Sequence, residues 1–422
     1  MLERHYGLSL WTITVAAWVL RIAVTAATVG LVTPLDPEDG LDQLDYEQFA
    51  FSLSGGQGYC LQDGTPSARR APGTSLVLLP VFWVCGRSLL AARLWIMLLS
   101  ALTCVAAAGV IRPRGGPVAA LWTAGLIAVN PVLIYYSTHL WSEVPFILVT
   151  TLATGWTVRL WEQHCWSDAW KAGLAFGCAI LIRPQVIFVI PFALSVLGIL
   201  HYRRQMIPWR QVGFALALSA SVVAPWVVRN ALVMGSPSLA TLVGGCTFWG
   251  AHNATTFNDP RWQGRWVTIT VAQGTSDLLP ADEVRAERIA WNRGFQAIRE
   301  HQTQLPRLFA AKLYRLLTPF EETPNRWVYW SFAMAWIGGV LGLLAGGREL
   351  WRRDRVLFTV IALQWGATLV NTILFYGCLR FRHVHEAQFM IMAGMGLAVS
   401  LAHWPAFVSI LRQTMARPPA LD

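Results

Sequence analysis

The sequence has few charged residues. Asp, Glu, Lys and Arg make up only 13% of its 422 residues, whereas 55% are hydrophobic and the mean hydropathy is +0.45. Ordinary soluble domains carry about 25% charged residues, so this scarcity excludes an ordinary soluble protein. Apolar runs recur from residue 8 to residue 412. The sequence therefore predicts an all-α fold, a polytopic transmembrane helical bundle of about 10 to 11 spans, since one span needs roughly 20 apolar residues.

Metal-binding and redox motifs are also lacking. The seven cysteines include no Cys-x-x-Cys pair and no Cys/His group at the spacing of zinc ligands, so neither a zinc site nor a redox motif is indicated. Residues 33–73, the first polar loop, contain no Asp-x-Asp pair. We therefore expect that the protein requires no metal ion. Cys60 and Cys246 fall in loops predicted to lie outside the membrane, where a disulfide between them is an open alternative to two free thiols.

The net charge of +10 does not indicate nucleic acid, because the basic residues are not gathered on one face. They cluster between apolar runs, above all at residues 112–114, 203–210 and 348–355. Such clusters mark the cytoplasmic side of a membrane protein. The acidic loop 33–73 and the long loop 230–325 are then external, and no internal repeat stands out.

The apolar runs set the predicted spans. Residues 74–111 must cross the membrane once in net although they hold two apolar runs, so residues 74–88 are predicted to form a half-helix or re-entrant element buried by protein. The predicted spans are 8–32, 74–88, 90–111, 117–136, 140–161, 169–182, 186–200, 211–228, 327–346, 356–376 and 386–411.

The first external loop is rich in acidic residues from Asp36 to Glu47. A solvated charge run explains the part up to Asp42 well. Asp45 differs, because it precedes an aromatic and small-residue stretch, and a helix over about 45–53 would place it on one face with Phe49. We therefore predict a catalytic role for Asp45.

Two arginines close the same loop. Arg69 and Arg70 precede Pro72-Gly73, and arginine binds phosphate well through bidentate, charge-assisted hydrogen bonds. Two interfacial arginines facing lipid headgroups are the alternative. The glycines around Gly58 could let the main chain approach a ligand closely, although a flexible turn explains them equally well.

Further charged residues lie at the ends of apolar runs. Glu143 falls at or just inside the outer membrane boundary, where an acid is a functional hypothesis by default. Arg183 is followed by Pro184, which removes a backbone donor and predicts a broken helix beside a cavity. Arg380 and Arg382 form an outer basic cluster that runs against the positive-inside trend. This cluster indicates an anionic ligand.

In their order along the chain, these motifs resemble the GT-C superfamily of integral-membrane glycosyltransferases, in particular the branch with protein mannosyltransferases and aminoarabinose transferases. Two departures stand out: Thr74-Ser75 follows the Pro-Gly turn in place of Tyr-Pro, and residues 383–387 lack both family prolines. The matching elements are Asp45, Gly58-Tyr59, Arg70-Ala71-Pro72-Gly73, Ser142-Glu143, Arg183-Pro184, Arg229-Asn230 with Gly244-Gly245, and Arg380-Phe381-Arg382.

The resemblance implies one GT-C-type transmembrane domain over residues 1–422, with residues 33–73 as the catalytic loop. It implies inverting transfer of a sugar from a polyprenyl-phosphate donor to an acceptor hydroxyl on the external face, with Asp45 as general base and Glu143 orienting the acceptor or an arginine. No cofactor is expected. The implied substrate- and phosphate-binding residues are Arg69, Arg70, Arg183, Arg380, Arg382, Tyr59 and His252.

The expected partners are the polyprenyl-phosphate sugar donor, membrane lipids and an acceptor that is a glycolipid, a polysaccharide or a protein. Nucleic acid is not among them. The expected location is a bacterial inner membrane, with the site facing the periplasm or exterior. Two other functions stay open: a transporter or flippase for a lipid-linked sugar, and an oligosaccharide ligase acting on lipid diphosphates.

Overall fold

The computed structural model describes residues 2–203, 206–239, 241–268, 282–320 and 325–402. These residues are mostly helical, and their only β-type pairing is a single bridge between Cys60 and Pro66. The α-helices are α1 (Leu2–Thr28), α2 (Leu41–Ser54), α3 (Gly73–Cys85), α4 (Leu89–Val129), α5 (Pro131–Ser137), α6 (Glu143–Gln163), α7 (Trp166–Ile182), α8 (Val189–Tyr202), α9 (Trp209–Met234), α10 (Gly244–Ala251), α11 (Ala254–Asn258), α12 (Glu283–Glu300), α13 (Leu305–Leu317), α14 (Arg326–Arg353), α15 (Arg355–Leu374), α16 (Leu379–His383) and α17 (Glu386–Ala402).

Seven helices of the described residues are long and apolar enough to cross a membrane: α1, α4, α6, α8 with the turn before it, α9, α14 and α15. The 41-residue α4 is two helices joined at Gly116, whose φ of 72° breaks the helical path. Helices α3 and α17 are apolar but shorter. The chain is an integral membrane protein, and the predicted all-α helical bundle is confirmed. The predicted last span, 386–411, runs past Ala402 into residues outside those described.

Small residues allow two of these helices to pack closely. A Cβ on Gly342 of α14 would lie 2.5 Å from the Cβ of Ala393 in α17, and one on Gly346 would collide with the carbonyl of Met392. Helices in lipid associate by close van der Waals contact, which small residues four positions apart permit. On its other side α17 packs against α4, and α4 packs against α1 and α6.

Arg21 is buried inside the bundle and has a structural role. Its guanidinium donates to Ser100 Oγ at 2.8 Å and to the carbonyls of Ala17, Ile127 and Ala128 at 2.9, 3.2 and 3.1 Å. Ile127 and Ala128 lie in the last turn of α4, where helix carbonyls lack partners within the helix. Arg21 of α1 therefore caps the end of α4.

Helix α3 lies against α2 and is too short to cross a bilayer. Its 13 residues span about 20 Å, less than the roughly 30 Å of a hydrocarbon core. Arginines at both of its ends pair with α2: Arg70 with Asp45, and Arg87 with Glu47 through an Nε–Oε1 distance of 2.7 Å. Residues 74–111 thus contain one helix long enough to cross a membrane, the first half of α4.

Candidate active site

Helix α2 presents two carboxylates at one end of the bundle. Asp42 and Asp45 are three residues apart, which places them on one helix face. Tyr46 and Phe49 are buried beneath them. The Asp45 side chain is 5% exposed, compared with 23% for Asp42. The helix therefore offers one sheltered and one more accessible carboxylate.

The loop arginines pair with both carboxylates. Arg69 hydrogen-bonds Oδ1 of Asp45, and Arg70 donates from Nε to Oδ2 of the same residue at 2.8 Å. Arg70 also places Nη2 at 2.8 Å from Oδ1 of Asp42. Such charge-assisted bonds are the strong ones in proteins. Arg70 therefore bridges Asp42 and Asp45 of α2.

Gly73 brings this loop to the end of α7. A Cβ at Gly73, the first residue of α3, would lie 2.6 Å from the backbone N of Ile182 and the carbonyl C of Leu181. Helix α7 ends at Ile182 because Pro184 has no N–H to continue it. The Pro-Gly turn and the Arg-Pro break therefore meet, and Arg70 and Arg183 come to the same end of the bundle.

Glu143 connects α6 to the same site. Its side chain is fully buried and pairs with both Arg183 and Arg380, the latter also donating from Nη2 to Oε2 at 3.1 Å. Arg380 further donates from Nη1 to Oδ2 of Asp42 at 2.8 Å. The carboxylate lies at the N-terminus of α6, where the helix dipole favours negative charge. Glu143 thus joins the arginines of α16 and α7.

These contacts form one charged network with surplus positive charge. Four guanidiniums and three carboxylates sum to +4 and −3, which leaves +1. Arg69, at 40% exposed, and Arg380, at 31% exposed, are the most open side chains of the network, whereas Arg183 and Glu143 are buried. The network can bind an anion on its arginine side. Its members are Asp42, Asp45, Arg69, Arg70, Glu143, Arg183 and Arg380.

Electrostatics keep the more accessible groups ionised. Burial alone would raise the pKa of Asp42, but Arg380 and Arg70 outweigh it and hold that pKa below its usual value. Burial likewise opposes the charge of Arg380, yet Glu143 and Asp42 raise its pKa well above the ordinary value. Both groups are therefore charged at neutral pH.

Tyr59 lies behind the arginine pair. Its hydroxyl donates to the carbonyls of Arg70 and Ala71 at 3.2 and 3.4 Å. Its ring stacks on Phe49 with centroids 4.1 Å apart and meets Trp226 edge-on at 4.9 Å. Tyr59 thus supports the backbone that carries Arg70.

Arg382, also predicted to bind phosphate, lies apart from the charged network. It is fully buried and donates from Nη1 to the carbonyls of Leu316 and Thr318 at 3.0 and 2.7 Å. Its guanidinium also lies 4.0 Å from the ring centroid of Trp336. These contacts connect Arg382 to the C-terminal end of α13.

His252 is likewise buried outside the network. Its Nδ1 donates to the carbonyl of Phe248 at 2.8 Å, which leaves Nε2 to accept from Nζ of Lys312 at 2.8 Å. Lys312 also donates to the carbonyl of Ile373 at 2.9 Å. His252 therefore connects α10 to α13 and α15 and does not face the Asp45 side chain.

Two apolar cavities flank the network. One, of about 550 Å³, lies behind Tyr59 and Pro72 and is lined by α9, with Arg229 as its charged member. A small cavity lined by Phe146 and Gln185 shares Thr150, Val186, Val189 and Gln364 with an apolar groove between α6, α7, α8, α9 and α15. Apolar space therefore lies behind Tyr59 and, separately, beside Phe146, three residues from Glu143 in α6.

Asp42 is a network member that sequence reasoning missed, because it was assigned to the solvated part of the acidic run. Its three-residue spacing from Asp45 was the available signal. Within the described ranges, no group of three or more His, Cys, Asp or Glu residues could hold a metal ion. Cys60 and Cys246 are both free thiols.

The family model described as dolichyl-phosphate-mannose-protein mannosyltransferase matches residues 69–228, which include Arg69, Arg70, Glu143 and Arg183. No curated protein sequence matches the chain. The fold is similar to that of the oligosaccharyltransferase of Archaeoglobus fulgidus. The apo form has a TM-score of 0.59 at 14% identity, over 98% of this chain and 52% of that one.

The same archaeal protein in complex with an inhibitory peptide and a dolichol-phosphate has a TM-score of 0.52 at 14% identity, over 97% of this chain and 52% of that one. The chain thus spans about half the length of this relative. ArnT from Cupriavidus metallidurans bound to undecaprenyl phosphate matches over 89% of this chain and 77% of that one at 15% identity, with a TM-score of 0.42 that is too low to carry an argument. The family match and the archaeal fold confirm the resemblance to the GT-C superfamily.

Proposed function

We propose that this chain is a membrane glycosyltransferase that moves a sugar from a polyprenyl-phosphate donor to an acceptor hydroxyl with inversion at the anomeric carbon. The observation that carries the proposal is the pairing of Asp45 with Arg69 and Arg70. It supplies a sheltered carboxylate and exposed guanidiniums at one place. Sugar transfer from a lipid phosphate needs a base for the acceptor and cations for the departing phosphate.

The reaction begins with an exchange of partners at the arginines. In the structure, Arg69 and Arg70 both bond to Asp45. An incoming donor phosphate competes for these guanidiniums, which suit bidentate phosphate contacts. Each bond that the phosphate takes from Asp45 frees a carboxylate oxygen to accept a proton. Donor binding thereby prepares the base.

The acceptor oxygen then attacks the anomeric carbon. Its proton passes to Asp45, the bond between the anomeric carbon and the phosphate oxygen breaks, and the lipid phosphate leaves with the electron pair. Arg69, Arg70, Arg183 and Arg380 stabilise the charge that develops on that phosphate, as preorganised cations do in other enzymes. A positioned base contributes about 10²- to 10⁴-fold to such a rate. Glu143 orients Arg183 and Arg380, with which it pairs.

Several observations support a lipid donor. The apolar groove shares lining residues with a small cavity beside Phe146, which follows Glu143 by three residues in α6. The description of the matching family model names dolichyl-phosphate-mannose. The archaeal oligosaccharyltransferase is in complex with a dolichol-phosphate. We propose further that the reaction needs no metal ion, because four guanidiniums already supply positive charge to one phosphate. The proposed location is a bacterial inner membrane, with this end of the bundle outside.

The test is sugar transfer from a panel of radiolabelled polyprenyl-phosphate sugars to crude membrane acceptors, in detergent and with EDTA. Asp45→Asn should lower turnover by about 10²- to 10⁴-fold while the protein stays folded. Asp63→Asn is the matched control, since Asp63 lies in the same loop, is fully exposed and bonds locally to Thr65. That variant should transfer sugar at the wild-type rate.

Undiminished transfer by Asp45→Asn would remove Asp45 from the mechanism. A wild-type protein that binds the donor without turnover would favour a transporter or flippase over a transferase. Activity lost on EDTA treatment and restored by a divalent cation would overturn the metal-independent mechanism.

A further inference from the structure

Ser67 and Ala68 precede the arginine pair, and every backbone N–H and carbonyl group of these two residues is hydrogen-bonded. Ser67 and Ala68 are both fully buried. The Ser67 N–H donates to the Tyr59 carbonyl at 3.2 Å, and the Ser67 carbonyl accepts from Nη1 of Arg229 at 2.8 Å. The Ala68 carbonyl accepts from the N–H of Leu242 at 2.8 Å. Helix α9 and the long loop thus already hold this dipeptide.

Glu283, the first residue of α12, makes the remaining contacts. Its Oε1 accepts from the hydroxyl of Ser67 at 2.5 Å, and its Oε2 accepts from the N–H of Ala68 at 2.7 Å. The Ser67 hydroxyl in turn accepts from the N–H of Arg69 at 3.2 Å. Glu283 therefore reaches the backbone of Arg69 through one hydroxyl group.

We propose that Glu283 is a positioning residue that sets the backbone of Arg69 and Arg70, and with it the ability of the site to hold an anionic phosphate. The proposal rests on the proposed function for its catalytic consequence. Its structural part needs only the contacts of Glu283. Both oxygens of one carboxylate bind adjacent groups of one dipeptide, and the next residue along the chain pairs with Asp45.

Geometry explains why this position matters. The Arg69 and Arg70 side chains reach Asp45 from a backbone that Glu283 contacts one and two residues away. A displacement of about 1 Å in a positioning element can lower a rate by about 10²-fold. Buried charge-assisted hydrogen bonds are also expensive to leave unmade. Glu283 thus connects the long loop to the residues that bind the donor.

A matched control lies one turn further along α12. Glu287 also accepts two hydrogen bonds, from the N–H of Gly245 at 2.8 Å and from Nε1 of Trp291 at 2.9 Å. These bonds fix the start of α10 and make no contact with residues 67–70. Replacing Glu287 with Ala removes the same charge from the same helix face, so it reports any general loosening of the loop.

The first measurement is amide hydrogen exchange of residues 67–70 in the full-length protein in detergent. Glu283→Ala should speed exchange of the Ala68 and Arg69 amides by about tenfold or more, since it removes their acceptor or the group that orients it. Glu287→Ala should leave these amides as in the wild type. Glu283→Gln should restore most of the protection, because an amide can accept from Ala68 and donate to the Ser67 hydroxyl.

The second measurement is transfer from a polyprenyl-phosphate sugar. Glu283→Ala should raise the donor KM by about tenfold with a smaller change in kcat, because the arginines bind the ground-state phosphate. Glu283→Gln should recover the wild-type KM. Unchanged exchange in Glu283→Ala, or equal acceleration in Glu287→Ala, would overturn the inference. If exchange is accelerated only in Glu283→Ala and the wild-type protein transfers no sugar, the positioning role would be upheld and the proposed function rejected.

Discussion

Arg380 donates from Nη1 to Oδ2 of Asp42 at 2.8 Å, although 338 residues separate the two in the chain. This bond joins α16, near the end of the described chain, to the first acidic helix. Because Arg380 also pairs with Glu143, one guanidinium holds the carboxylates of two different helices. The site is therefore built from segments that are distant in the chain.

Replacing Asp42 with Asn should separate anion binding from turnover. The substitution raises the summed charge of the network from +1 to +2, so the donor phosphate should bind as well as before or better. Turnover should fall by about tenfold, because Arg70 and Arg380 both lose a charge-assisted partner. The measurement is the donor KM and kcat of Asp42→Asn. A raised KM with unchanged kcat would contradict this reasoning.

Glu143→Gln should strongly destabilise the protein. The change leaves two guanidiniums beside a neutral group at a fully buried position, and breaking a buried ion pair costs about 3 to 5 kcal/mol. Glu3→Gln is the control, because Glu3 is 67% exposed and pairs with Arg112, itself 46% exposed, at 3.0 Å. Its effect should stay within about 0.5 kcal/mol. Unfolding followed by denaturant or heat in detergent compares the two, and equal losses would mean that Glu143 is not the buried anchor described.

Much of the fold could be predicted from the sequence, because bilayer thickness fixes the length of a spanning helix. The helix that begins at Glu143 and the break at Pro184 follow from local composition alone. The charge on Asp45 and its position after a long apolar run drew attention to the first loop. These are local properties, and a single sequence carries them.

The partners of each charge could not be predicted. Arg380 and Arg382 are two residues apart and look equivalent in sequence. Arg380 nevertheless pairs with Glu143, whereas Arg382 donates to the carbonyl of Leu316. A two-residue step on a short helix turns the side chain to a different face, and only tertiary packing decides what that face meets. Glu283 was missed for the same reason, since its contacts lie 215 and 216 residues away.

Gly73→Ala should displace the arginine loop. The new Cβ would lie 2.6 Å from backbone atoms of Leu181 and Ile182, which cannot move aside as a flexible side chain can. Overpacking of this kind costs about 1 to 3 kcal/mol. Turnover should fall as well, because α3 would move away from the end of α7. Gly125→Ala is the control, since a Cβ there meets nothing within 4 Å; a comparable loss in that variant would refute the steric explanation.

Lys312 should make the stability of the long loop depend on pH. Burial lowers the pKa of Lys312 to about 7, whereas a lysine in an unfolded chain has a pKa of about 10.4. Between these values the unfolded state binds more protons, so the free energy of unfolding should rise as the pH increases from about 7 to about 10. Burial and the neighbouring Lys312 lower the pKa of His252 to about 3. The free energy of unfolding should therefore also rise with pH in the acidic range, between this value and the ordinary histidine pKa of about 6.5.

Lys312→Met tests this sign directly, because it removes the buried amine and keeps a long apolar side chain. The unfolding temperature of the wild type should increase from pH 7 to pH 9.5, and the variant should show a flatter dependence over the same interval. At pH 9.5 the wild type retains a largely neutral amine that can still bond to His252 and to the carbonyl of Ile373. Parallel curves for the two proteins would show that Lys312 does not titrate on folding, and a wild-type curve that falls with pH would reverse the argument.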